Sequence, residues 1–213
     1  MKTLLTAAAA AVLLLSGCGS DEGAAPVAAD PAGETPSAPT APTVVPAAPG
    51  TVHTAALATV MDTGSPELCL GAVAESYPPQ CSGPAIAGWD WADHGQMLER
   101  QGEATWGSFA VSGQWDGETF TYGSAVPAAL YDPMMPEPPT YPTPAVELTE
   151  AELVEIQDGL DDTLPGYQAS YPDGEGHLVV DVIYDDGSLQ DWLDGEHGKD
   201  VVVLHSLLVD DSA

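Results

Sequence analysis

The densest set of proton- and metal-handling side chains lies in Trp89-Asp90-Trp91-Ala92-Asp93-His94-Gly95, where one imidazole stands beside two carboxylates. Two chemistries use such a set. An imidazole oriented by a carboxylate serves as a general base once a hydroxyl or thiol stands next to it. The same side chains offer oxygen and nitrogen donors to a divalent cation. The chain carries 33 Asp and Glu, however, so a turn with one histidine and two acids arises readily from composition alone. Asp90, Asp93 and His94 are therefore weak metal candidates, and no catalytic residue is expected. Among the other histidines, His197 falls near a helix C-terminus, where it suits the helix dipole, and His205 alternates outward from the last strand. The sequence has no Gly-x-Ser-x-Gly elbow, phosphate-binding glycine loop, Cys-x-x-Cys pair or HExxH helix. The expectation is a protein that is not an enzyme and needs no cofactor.

A third chemistry, covalent lipidation, is written at the start of the chain. Lys2 and the apolar run from Leu4 to Leu15 form the basic and hydrophobic parts of a secretory signal. The run is about 12 residues long, where a spanning helix needs roughly 20. It leads into Leu15-Ser16-Gly17-Cys18, which resembles a bacterial lipobox. The resemblance implies removal of residues 1–17, a diacylglycerol thioether on Cys18, and a place on the outer face of the cytoplasmic membrane. In that compartment the remaining cysteines, Cys69 and Cys81, are best read as a disulfide. Closing a loop of about 13 residues, it would contribute on the order of 3 kcal/mol. Zinc is the alternative, but two cysteines with no second pair fit its spacing poorly.

The formal net charge is −30, and loss of Lys2 with the signal takes it to −31, leaving Arg100 and Lys199 as the only cationic side chains of Lys or Arg type. Nucleic acid and polybasic membrane docking both require clustered Lys and Arg, so both are excluded. The acids are scattered in short pairs without calcium-loop spacing.

Five segments have to position these groups. Residues 1–17 are the signal and 18–50 a lipidated tether of Ala, Pro, Thr and Gly, too poor in large apolar residues to fold. Residues 51–126 read as an all-β module, a small barrel or sandwich similar to an OB fold. In it Asp62-Thr63-Gly64-Ser65-Pro66 separates two strands. Asp116-Gly117 is expected to close a two-residue hairpin that places Gly113 opposite Phe120 and Val111 opposite Tyr122. Residues 127–146 are a second proline-rich linker containing Met134-Met135. Residues 147–213 read as α+β in the order α-β-β-α-β, with both helices on one face of a three-stranded sheet. Thr149 and Glu152 form a capping box, with Leu148 as a staple on Leu153. Leu153, Ile156 and Leu160 make the buried stripe, Ser188 caps the second helix, and 201–209 is the last strand. This order is faintly similar to half of a ferredoxin-like fold and to the prodomains of some secreted bacterial serine proteases.

Leu68-Cys69-Leu70-Gly71, Pro78-Pro79-Gln80-Cys81 and Gly88-Trp89-Asp90-Trp91 together resemble a pattern in uncharacterised secreted or lipid-anchored actinobacterial proteins, which implies a location but no reaction. Tyr77, Trp89 and Trp91 admit two readings. They cover the open end of the β module, or they form an aromatic shelf for sugar rings or proline-rich peptides. The function expected is that of a lipid-anchored binding module. Its partners would be the membrane, through Cys18, and an envelope polymer or another secreted protein. The alternatives are an inhibitor or chaperone-like module for a secreted peptidase, and divalent-cation binding by the acidic surface.

Overall fold

One long strand organises the β part. The computed structural model describes residues 40–132 and 139–211; the lipobox Leu15–Cys18, the tether up to residue 39 and Met134-Met135 lie outside the described residues. Strands β1 (Thr51–Thr54), β2 (Ala58–Asp62), β3 (Pro66–Cys69), β4 (Ile86–Ala87), β5 (Glu99–Gln101), β6 (Ala104–Trp115) and β7 (Phe120–Pro127) come first in the chain. On one side of β6, β2 pairs with its first half and β1 with its second, both antiparallel, while β5 and β7 pair along the other side. Phe109, Val111, Gly113 and Trp115 alternate inward along β6, as a strand with one face on a core must. β3 continues from β2, and β4 runs parallel to β7. Between β3 and β4 the described residues show an isolated Glu67–Ala85 bridge and a hydrogen bond from Leu68 N–H to Pro84 O of 2.9 Å. The sheet curls, but it is not a closed barrel.

The turn after Asp62 forms as expected, with Gly64 N–H donating to the Asp62 carboxylate at 2.8 Å. The β6–β7 register differs from expectation. Trp115 faces Phe120, Gly113 faces Tyr122 and Val111 faces Ala125, with a bulge at Ser112/Gly113. The cause is the loop: the Asp116 carboxylate accepts from both Glu118 N–H and Thr119 N–H, so four residues rather than two make the connection. A slip of two residues preserves the faces, and Phe120 is still fully buried. Gly113 is required here, because a Cβ would lie 2.1 Å from Thr121 O and 2.7 Å from the Phe120 ring.

The second half contains α1 (Glu150–Thr163), β8 (Tyr167–Pro172), β9 (Leu178–Val182), α2 (Ser188–His197), β10 (Val202–Ser206) and β11 (Leu208–Asp210). The capping box is present, with Thr149 N–H donating to Glu152 Oε2 at 2.8 Å and Glu152 N–H to Thr149 Oγ1 at 3.4 Å. That backbone hydrogen bond from Thr149, with its hydroxyl, holds the Glu152 carboxyl below its usual pKa. β8 and β9 are antiparallel, and β10 lies parallel to β9 after the α2 crossover. Leu178, Val180 and Val182, one face of β9, share a core with Leu153 and Leu160 of α1 and Leu189 and Leu193 of α2. Both helices therefore cover the same face. The cap of α2 is not the Ser188 side chain. Gly187, in the left-handed conformation, is the capping residue, and the Asp186 and Asp185 carboxylates take the N–H groups of Ser188 and Leu189.

The expected last strand breaks at Leu207. β10 stays in the three-stranded sheet, while β11 crosses to pair antiparallel with β1, Val52 opposite Asp210 and Thr54 opposite Leu208. Leu208 and Tyr184 thereby enter the core formed by Val52, Val60, Leu68, Ile86, Phe109, Val111 and Phe120. The two stretches separated by 127–146 thus share a sheet and a core, and the described residues form one compact unit. The end of the expected tether also belongs to this unit: Val45 and Ala48 pack on the core, and Trp115 Nε1 donates to Pro46 O at 2.9 Å.

Candidate functional site

Trp89 sits at the centre of an aromatic cluster. Gly88, at φ 80°, turns the chain out of β4, and Asp90 then caps the short 3-10 turn Trp91–His94 by accepting from Ala92 N–H at 2.8 Å. This folds His94 back onto Trp89, with ring centroids 3.9 Å apart and planes 11° from parallel. Trp91, Phe109 and Tyr122 meet Trp89 edge-on at 5.3, 5.0 and 5.1 Å. Trp91 Nε1 donates to Asp62 Oδ2 at 3.0 Å. Trp89 is 8% exposed and belongs to the core, against which Trp91 packs.

Tyr77 is elsewhere. It lies inside the loop closed by the Cys69–Cys81 disulfide, is 66% exposed, and meets Trp106 edge-on at 5.3 Å. Of the three aromatic residues considered as a shelf, the fold joins Trp89 and Trp91 and leaves Tyr77 apart.

Asp90, Asp93 and His94 share the turn, but the Asp90 carboxylate is occupied by the backbone. Burial lowers the His94 pKa, with Asp93 and Asp90 opposing it, so the ring is neutral at pH 7. Its Nε2 and Trp89 Nε1 have no hydrogen-bond partner among the described residues. No group of three His, Cys, Asp or Glu side chains suited to a metal ion is found among those residues.

A second polar cluster escaped the sequence reading. Residues 139–146, from the expected linker, run as a strap against the second sheet. Tyr141 Oη is hydrogen-bonded to His205 Nε2, and His205 Nδ1 is 3.5 Å from Asp181 Oδ1, its neighbour in the parallel register. His177, almost fully buried, bonds Asp173 Oδ2 through Nδ1 at 2.6 Å and Pro142 O through Nε2 at 2.8 Å. Both partners accept, so the two contacts together favour the doubly protonated ring, the imidazolium. Burial opposes that charge, but the Pro142 carbonyl and the Asp173 carboxylate outweigh it and raise the pKa. Tyr141 is pushed the other way from activation. Burial, then the neighbouring Tyr171, Asp173 and Asp181, raise its pKa and keep it a phenol. The strap is thus a polar clasp. Its only sequence signal was a tyrosine among prolines, followed far along the chain by two histidines.

No protein-family model, curated protein or solved structure matches the chain.

An open, largely apolar feature lies at the helix pair. Between α1 and α2 lies a groove of about 500 Å3 whose lining includes Leu148, Ile156, Leu160 and Trp192. This volume is within the range of ligand clefts. Leu160 is buried in the core beneath, whereas Leu148, Ile156 and Trp192 are half-buried and leave carbon surface accessible. Glu152, Glu155 and Glu196 stand at the same groove, with His197 at its end. Burial lowers the His197 pKa against the opposing effect of Glu196, so at neutral pH it adds no charge. Such a groove can take apolar side chains on its floor and cationic groups at its rim.

Proposed function

We propose that the chain is a lipid-anchored envelope protein, held by a diacylglycerol thioether on Cys18 outside the cytoplasmic membrane, that acts by binding another extracytoplasmic molecule rather than by catalysis. The lipobox and the proline-rich segment after it support the location. The observation that carries the binding role is the open groove between α1 and α2, where apolar side chains are held half-covered by two helices anchored in a common core. In this reading the curled β part, with its OB-like or sandwich character, is the rigid base on which the helix pair is presented. Trp89 and Trp91 serve that base as core, and the disulfide pins its longest loop.

Two measurements test this. Growth with an alkyne fatty acid should label the wild-type chain and leave Cys18→Ala unlabelled; a wild-type chain released without acyl groups would remove the anchor. A photo-crosslinking amino acid at position 155, beside the groove, should give a discrete adduct in intact cells that the same group at position 103 does not. Equal background at both positions would remove the groove as the binding surface.

A further inference from the structure

The groove between α1 and α2 has charge of one sign only. Glu152, Glu155 and Glu196 stand along it, and among the described residues neither Lys nor Arg is part of its lining. We infer that this groove receives a cationic amphipathic helix of a partner protein, with aliphatic side chains laid against Ile156 and Trp192 and Lys or Arg facing Glu155 and Glu196. The inference rests on the binding role proposed above and adds the chemistry of the partner.

Charge decides among the possible occupants. A second copy of this chain would bring its own carboxylates against the same rim, since the mature sequence has only Arg100 and Lys199 to offset its acids. The chain's own proline-rich segments are no better suited. Gly19 to Gly50 contains Asp21, Glu22, Asp30 and Glu34 and no cation, and 127–146 contains Asp132 and Glu137 and no cation. An anionic membrane surface is repelled by the same rim. A helix with one apolar stripe and a basic face satisfies both halves of the site. The floor recovers buried apolar area, and the exposed carboxylates beside it find counter-charges. The attraction falls with added salt, while the contact with the floor does not.

The test uses the mature chain and three synthetic peptides of about 18 residues, followed by fluorescence anisotropy and calorimetry. A Leu/Lys amphipathic helix should bind saturably at one per chain. A Ser/Lys peptide of equal charge should bind at least roughly tenfold more weakly, and a Leu/Glu helix not at all. The double variant Glu155→Gln/Glu196→Gln, which touches only surface carboxylates, should weaken the Leu/Lys helix by about tenfold. The remote pair Glu99→Gln/Glu103→Gln should leave it unchanged. Ile156→Lys should abolish binding with its circular dichroism intact. If that variant unfolds, the carboxylate pair still decides. Equal binding of the Ser/Lys and Leu/Lys peptides, or equal weakening by the remote pair, would overturn the inference in favour of diffuse attraction to a polyanion. A free chain that sediments as a dimer and becomes a monomer with Trp192→Ala would overturn it in favour of a second copy. A cellular crosslink at position 155 without Leu/Lys binding would refute the partner chemistry alone; loss of both would refute the binding role as well.

Discussion

Leu208→Ala tests the claim that the last strand of the second half helps to fill the core of the β part. Leu208 is fully buried among Val52, Val60, Phe109, Val111 and Tyr184, yet it comes from the strand that closes the α/β half. Truncating a buried leucine costs roughly 2–5 kcal/mol, the lost transfer energy plus the cavity that remains. With a urea dependence of about 2 kcal/mol per molar, the midpoint should fall by about 1–2.5 M. The tryptophans make the test selective. Trp89, Trp91, Trp106 and Trp115 report on the β part and Trp192 on the helices, so a Trp192→Phe background restricts fluorescence to the β part while far-UV circular dichroism follows the helices. Both signals should shift together in a single transition. A fluorescence midpoint that stays in place would remove Leu208 from the core of the β part, and one that falls while the helical signal stays would show two cores that unfold independently; either result would sink the account of β11 as a shared element.

Gly113→Ala should lower the melting temperature through overpacking of roughly 1–3 kcal/mol, because the added methyl meets the Thr121 carbonyl and the Phe120 ring; an unchanged melt would mean that β7 yields freely. Reduction of Cys69–Cys81 should cost on the order of 3 kcal/mol in chemical denaturation, and Cys69→Ser/Cys81→Ser should reproduce it without reductant. The raised His177 pKa gives a signed pH dependence. Its contribution is complete below the unfolded value of 6.5 and is lost as pH rises through the folded value, so stability should decline on the alkaline side. His94 and His197, shifted downward, act instead below pH 6.5. Urea midpoints between pH 7 and 9 should therefore fall for the wild type and flatten in His177→Gln; parallel profiles would show that the clasp does not hold that charge.

What the sequence made legible was local. Thr149, Glu152, Leu148 and Leu153 announce the start of α1 because a capping box and staple involve residues three to five apart, and they form as the spacing implies. The Leu153, Ile156 and Leu160 stripe follows from the helical period, and the disulfide from the pairing of the last two cysteines. What failed was decided at a distance. The β6–β7 register depended on whether Asp116 would hold two N–H groups, which lengthened the turn by two residues. A continuous apolar run from Val201 to Val209 does not reveal that its two ends belong to different sheets; only the free edge of β1 decides that. The aromatic residues divided for the same reason. Trp89 had a core of Phe109 and Tyr122 to fill, while Tyr77 was held apart by the loop that the disulfide closes. The groove was half visible: Leu148 and Ile156 lay on the apolar stripe, but the distance to Trp192 on the second helix could not be read from either stretch alone.

The antiparallel pairing of β1 with β11 brings the Thr51 carbonyl within 3.0 Å of the Asp211 amide, so the last described strand lies beside the first. A fusion that displaced β11 would strip β1 of one of its two partners and uncover Leu208. A label intended to report on the helix pair belongs on exposed Asp158 of α1, away from β11 and from the groove lining.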